Sequence, residues 1–211
     1  MVSVGVSRMG KTSAVFVEPG AKINSQYYCE KVLGQGLLPD ISTRCGRYKW
    51  TLQQDGAPSH TARSTVQYLQ RENINFIEPN MWPPNSPDLN PVDYAVWGAL
   101  QEMVYHRKTF TSVQELKRAL VTAWQQLSQA FLDRGIGEWR RRLENVVQCN
   151  GGHIEHVCWI EINDACALDL KSFPVLLLLH FHLCNRPRPI CLLSCYVLVI
   201  IVQYSPDGAT E

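Results

Sequence analysis

Two aspartates stand where a chain can do metal chemistry. Asp55 follows Trp50-Thr51-Leu52-Gln53-Gln54 and precedes Gly56-Ala57-Pro58. That pattern reads as a short buried strand ending in a turn, and ligands of layered α/β sheets gather outside the carboxyl ends of strands. Asp93 closes the segment Asn90-Pro91-Val92-Asp93, a helix-start signature. Asn90 fits the N-cap, Pro91 the first helical position and Asp93 the acid of a capping box. A strand-end acid and a helix-start acid can converge on one divalent cation: carboxylates about 4 Å apart repel, and a cation relieves the repulsion. Two Mg²⁺ or Mn²⁺ ions so held activate a nucleophile and stabilise the leaving oxygen in phosphoryl transfer. The plainer reading makes Asp55 a turn residue and Asp93 a helix cap.

The elements around these acids can be read in order. Val2 to Val6 alternates apolar residues with Ser and Gly, and Ala14 to Val17 follows after a turn, so the pair reads as a hairpin. Asn24 can cap a helix from Ser25 to Leu33 or a little beyond, which Leu37-Leu38-Pro39 should stop. A helix from about Ser59 to Arg71 follows the Asp55 turn, with Ala62, Val66 and Leu69 on one face. Ile74 to Ile77 reads as one more strand. Five prolines between Glu78 and Pro91 forbid regular structure there. Beyond Pro91, Val92, Val96, Leu100 and Met103 form an apolar stripe, and two amphipathic helices follow at about Ser112–Leu127 and Phe131–Val147. Asn150-Gly151-Gly152 is a natural stop. The order β-β-α-β-α-β predicts an α/β layered domain with its sheet covered by helices.

The wording of the two acidic segments is more specific than their spacing. Gln54-Asp55-Gly56-Ala57-Pro58-Ser59-His60-Thr61-Ala62 resembles the second-aspartate motif of mariner/Tc1-type transposases. Ser86-Pro87-Asp88-Leu89-Asn90-Pro91-Val92-Asp93-Tyr94, with Trp97 following, resembles their third-acid motif. Gly20 to Tyr28 and Gly151-Gly152-His153 resemble two further segments of the same domain. The resemblance covers about residues 1–156 and implies an RNase H-like catalytic domain of the DDE/DDD type. It implies cleavage of transposon ends and their joining to target DNA, with Mg²⁺ or Mn²⁺ held by three acids. Asp55 matches the second acid, and Asp93 rather than Asp88 matches the third. An Asp at the third place is mariner-like. Val2 to Val6 matches the family's second strand. No residue matches the first acid, and no helix-turn-helix region precedes it. The expectation is therefore a domain missing its first strand, whose metal binding is weak or absent. A remnant that binds DNA or a partner transposase subunit without cutting is the alternative reading.

His60 follows Asp55 closely. The resemblance places such a histidine near the metal, where it can touch the scissile DNA; a polar residue at a helix N-terminus is the other reading. Ser59 beside His60 lacks a third member for a hydrolase triad. Trp82 in the proline-rich loop can stack on a base, but packing of that loop on the core is the stronger reading. Candidates for phosphate contact are Arg44, Arg47 and Lys49 before the Asp55 strand, Arg107 and Lys108, and the run Arg140-Arg141-Arg142. For Arg107, Lys108 and the last run, a solvated helix face is the stronger reading.

Composition sets the outer limits. The chain has 211 residues, 45% hydrophobic and 18% charged, with a formal charge of +1. That excludes a polybasic tail, a histone-like protein and an acidic disordered segment. Residues 1–156 hold 17 basic and 14 acidic residues, so non-specific DNA affinity should be modest. Residues 157–211 differ: they hold five of the eight cysteines and two apolar runs, Phe173 to Cys184 and Ile190 to Val202. They match nothing in the family and read as an unassigned, Cys-rich hydrophobic tail. A bilayer span needs about 20 apolar residues, so each run is short; a small membrane-associated protein, held through this tail, is a third reading that rests on the tail alone. Cys184, Cys191 and Cys195 with His180 and His182 lack the spacing of a zinc finger. The cysteines form no disulfide framework, which suggests a reducing compartment, and the family resemblance implies the nucleus.

Overall fold

The strand β1 (Val2–Ser7) is buried along its whole length. Its alternation sends Val2, Val4 and Val6 to one face and Ser3, Gly5 and Ser7 to the other, as a two-residue period requires. The computed structural model describes residues 1–106, 109–152 and 154, and the backbone of 195–202. The expected partner of β1 arrives as two short antiparallel pieces, β2 (Gly10–Lys11) and β3 (Val15–Phe16). Between them Thr12 pulls away to bond Gly5 with both its backbone N–H and its hydroxyl, at 2.9 and 2.8 Å. Gly10 makes the turn at φ 125°, a conformation that disfavours any side chain.

The strand β4 (Trp50–Gln54) ends at Asp55 as expected. The strand expected at Ile74–Ile77 is reduced to one parallel bridge, Leu52 to Phe76. The tail supplies the main departure from expectation. Strand β5 (Cys195–Val202) lies between β1 and β4, parallel to β1 and antiparallel to β4. Val199 pairs with Val6 on one side and Gln53 on the other, so this backbone joins the two halves of the sheet. The tail's second apolar run therefore enters the sheet. Among the described residues no helix is long and apolar enough to cross a membrane.

The register fixes which side chains share a face. Gln53 stands level with Val6 across β5, so Leu52 and Gln54 point to the opposite side from Val2, Val4 and Val6. One apolar cluster packs the valines against Val96, Leu100, Leu120, Trp124 and Phe131. The other packs Leu52 against Tyr28, Val32, Leu33, Ile41 and Leu69. Helices thus cover both faces, the α/β layering the sequence predicts.

Helix α1 (Ser25–Tyr27) starts on Asn24, whose side chain accepts the Tyr27 N–H at 2.8 Å. It does not stop at Pro39. It widens into a π-helical segment (Tyr28–Leu37) and runs on as α2 (Leu38–Cys45). Pro39 thereby takes a helix-start position, where its missing N–H costs least. The wide segment lies close to its neighbours because Gly34 and Gly36 carry no side chain: a Cβ at Gly36 would stand 2.7 Å from Val15 Cγ2.

The helix expected at 59–71 is two pieces, α3 (Pro58–Thr61) and α4 (Arg63–Arg71), divided at Ala62 (ψ 139°). After the proline-rich loop, a π-helical turn (Val92–Val96) leads into α5 (Trp97–Tyr105). Helix α6 (Val113–Gln126) starts on Ser112, which caps the Glu115 N–H at 3.2 Å. The last expected helix divides at Glu138 into α7 (Gln129–Gly137) and α8 (Trp139–Gln148), next to Gly135 and Gly137, two poor helix formers. Asn150 and Gly151 then take positive φ and end the unit.

Candidate active site

Asp55 is placed by the end of β4. Its Oδ1 accepts the Ala57 N–H at 3.0 Å, closing a tight Asx turn. The same oxygen lies 2.5 Å from His60 Nδ1 in α3. The Asp55 side chain is 30% exposed and the His60 side chain 1%, so the histidine holds the acid from beneath. The Tyr28 ring lies 4.2 Å from that of His60, and its hydroxyl donates to Gln54 Oε1 at 2.6 Å. Gln54, Asp55, Gly56, His60, Thr61, Ile77, Pro79 and Trp82 line a small cleft here.

Asp93 is placed by the loop before α5. The Asn90 side chain accepts the Val92 N–H at 3.2 Å, and the Asn90 carbonyl takes those of Asp93 and Tyr94. The Asn90 N–H goes to the Pro87 carbonyl, so Asp93 does not serve as the acid of a capping box. Burial, and then the charge of Asp55, push the Asp93 carboxyl up to about 7. The fold thus brings the two acids into electrostatic contact.

Asp88, the acid passed over in the motif, is structural: it is buried and its Oδ2 accepts the Ile154 N–H at 3.0 Å. Arg142 belongs with it. Its guanidinium lies 3.7 Å from the centre of the Tyr94 ring and donates to the Asp88 carbonyl at 3.1 Å. At 2% exposure Arg142 cannot reach DNA, and it leaves the set of phosphate-contact candidates. Sequence places it in a basic run; burial depends on Tyr94 and Asp88, far away in the chain. Tyr94 also donates to the Gly135 carbonyl at 2.6 Å, so α7 and α8 together brace the turn that carries Asp93.

The other basic candidates divide. Arg140 and Arg141 are exposed on α8 and pair with Glu144 and Glu138. Arg44 pairs with Asp40 at 2.8 Å, and Asp40 also accepts the Ser13 N–H, so that pair ties α2 to the hairpin. Arg44, Arg47 and Lys49 precede β4 whereas Asp55 follows it. Lys49, the residue just before the strand, therefore stands at its opposite end, roughly 20 Å from Asp55 by strand rise. Arg107, Lys108 and His153 lie outside the described residues. The burial of His60 likewise corrects its reading as a DNA contact. Trp82 stacks on Trp139, with ring centres 6.2 Å apart, while also lining the cleft. Sequence reasoning missed Gln54 and the Tyr28 hydroxyl as backing for the site. No local signal marks them, since Tyr28 meets His60 only through the fold.

The strand-end and helix-start aspartates stand on a helix-covered sheet of the RNase H-like fold. Residues 23–117 match the family model described as DDE superfamily endonuclease. The chain is similar in sequence to Tc1, Tc3 and mariner transposases. It is 32% identical over 111 residues to the transposable element Tc3 transposase of Caenorhabditis elegans, covering 52% of this chain and 32% of that one. It spans about a third to a half of the length of the curated relatives it matches. The fold is that of the Mos1 transposase catalytic domain solved with raltegravir and Mg: TM-score 0.58, 23% identity, 69% of this chain and 72% of the other. The Mos1 paired-end complex with left transposon end aligns at TM-score 0.58 and 24% identity, over 69% of this chain and 42% of the other.

Proposed function

We propose that this chain is a transposase-type domain that holds a divalent cation, Mg²⁺ or Mn²⁺, between Asp55 and Asp93 and brings DNA phosphodiesters to it. The observation that carries this reading is the placement of Asp55 at the end of β4 and of Asp93 in the turn before α5, near enough that, after burial, the charge of Asp55 adds to the upward push on the Asp93 carboxyl. Two carboxylates that interact fit a hard, oxygen-seeking cation, which favours the charged form of Asp93. Asp55 supplies an oxygen from the end of β4, and Asp93 supplies one from the first turn before α5. The cation, when bound, polarises a phosphoryl oxygen and lowers the pKa of water. Arg140 and Arg141, exposed on α8, are candidates to neutralise DNA phosphates, and Trp82 walls the cleft. By family, the chain acts in the nucleus, beside a further transposase subunit.

A second reading is a domain that binds DNA or a partner subunit without cutting. Two observations favour it. Among the described residues no group of three His, Cys, Asp or Glu side chains could hold a metal. And β5, at the centre of the sheet, carries no acid from Cys195 to Val202.

Nicking of supercoiled plasmid by the purified chain in Mn²⁺ separates the two. Nicking that disappears in Asp55→Ala and Asp93→Asn supports the first reading. DNA retention that persists in EDTA, without nicking, supports the second.

A further inference from the structure

We infer that His60 is a positioning residue: its Nδ1 anchors Oδ1 of Asp55 and so selects Oδ2 as the oxygen offered to the cation. The inference rests on the acid-pair reading above and goes beyond it. Both contacts to the Asp55 carboxylate, from Ala57 N–H at 3.0 Å and His60 Nδ1 at 2.5 Å, converge on Oδ1. A carboxylate is an acceptor only, so the proton of this 2.5 Å approach belongs to the histidine nitrogen; the contact is an ion-pair approach that falls outside the geometry of an aligned hydrogen bond. No hydrogen bond from a described residue goes to Oδ2.

The histidine is built to hold still. Its side chain is 1% exposed, which removes it from contact with a substrate. The Tyr28 ring backs it at 4.2 Å, and Tyr28 is itself fixed by the 2.6 Å bond to Gln54. Gln54 is the residue before Asp55, so the support returns to the strand that carries the acid. A carboxylate on a short side chain turns freely about its last bond. Fixing one oxygen from beneath removes that freedom before a ligand arrives. Groups that orient metal ligands in this way typically contribute 10- to 100-fold in metal affinity.

The test is Mn²⁺ binding to the full chain, titrated with MnCl₂ and followed by water-proton relaxation, without DNA and without turnover. His60→Ala should raise the Mn²⁺ dissociation constant by roughly 10-fold or more. His60→Asn, whose amide nitrogen can take the place of Nδ1, should stay within about 3-fold of wild type, a difference of about 0.6 kcal/mol. His60→Gln, which projects its amide further out, should behave like the alanine variant. If His60→Ala binds Mn²⁺ as wild type does, the inference is wrong and the acid-pair reading stands. If the asparagine variant loses as much affinity as the alanine variant, the ring's packing rather than its donor matters, and the inference is again wrong. A wild-type chain that binds no Mn²⁺ overturns the acid-pair reading itself. Should the alanine variant fail to fold, the asparagine and glutamine pair decides by the same comparison.

Discussion

The charge of Asp55 reaches Asp93 and, added to burial, holds its carboxyl at about 7. In an unfolded chain the same carboxyl has its ordinary value of 3.8. Between those two values the folded protein binds the extra proton. Stability without metal should therefore be unaffected by this group below about pH 4, decline as pH rises toward 7, and level off above it. The full difference is about 4 kcal/mol. Thermal unfolding in EDTA at pH 5 and pH 8 checks this: wild type should melt lower at pH 8, and Asp93→Asn should lose most of that difference. Added Mn²⁺ should restore the wild-type melting point at pH 8 far more than at pH 5.

Arg142 and Arg140 are two residues apart and should behave oppositely. Arg142→Ala removes a buried guanidinium from the Tyr94 ring and the Asp88 carbonyl. The expected cost is about 2–3 kcal/mol in urea unfolding. Arg140→Ala removes an exposed ion pair with Glu144 and should cost under about 0.5 kcal/mol.

Gly36→Ala should destabilise more than Gly34→Ala. A Cβ at 36 meets Val15 Cγ2 at 2.7 Å and the Lys31 carbonyl at 3.2 Å. The valine branch sits close to its own backbone and cannot swing away, so a cost of about 1–3 kcal/mol is expected. A Cβ at 34 meets the Cys29 carbonyl at 3.1 Å, much as one at 36 meets that of Lys31, but its tightest contact, at 2.8 Å, is the Tyr68 hydroxyl, the far end of a longer side chain that can move. Urea unfolding of the two variants side by side reads the order.

Val199→Pro tests the place of β5. Val199 pairs with Val6 and with Gln53, so a residue without an N–H breaks the ladder at the middle of the sheet. The expected loss is about 2–3 kcal/mol. Hydrogen exchange should quicken at the amides of both β1 and β4, whereas a β5 that contributed nothing would leave them unchanged.

The parts of the fold that sequence reveals are those fixed within one or two turns of chain. β4 ends at Asp55 because an apolar run meets Gly56-Ala57-Pro58. The π-helical turn carrying Asp93 starts where Asn90 and Pro91 place it. The parts that stay hidden depend on distant partners. Pro39 looks like a stop, yet the chain winds past it because two glycines let the wide segment lie against Val15 and Tyr68. His60 looks like a surface cap until Tyr28 covers it, and Arg142 looks like a phosphate contact until Tyr94 does. The tail looks unattached because its pairing partners are β1 and β4. The candidate site follows the same division: both acids are legible locally, and the groups that hold them are not.

The position of β5 also dictates the order in which this protein can assemble. Val2 pairs with Cys195, a contact spanning almost the whole chain. On a ribosome, β1 and β4 emerge long before the strand that belongs between them. Closing so long a loop costs little more entropy than closing a shorter one, but contacts of such high sequence separation form slowly. During that interval each strand presents, on the edge that β5 later fills, backbone donors and acceptors with no partner, the condition that invites aggregation. Yield of folded protein should therefore depend on synthesis rate and chaperone supply more than on the final stability of the sheet.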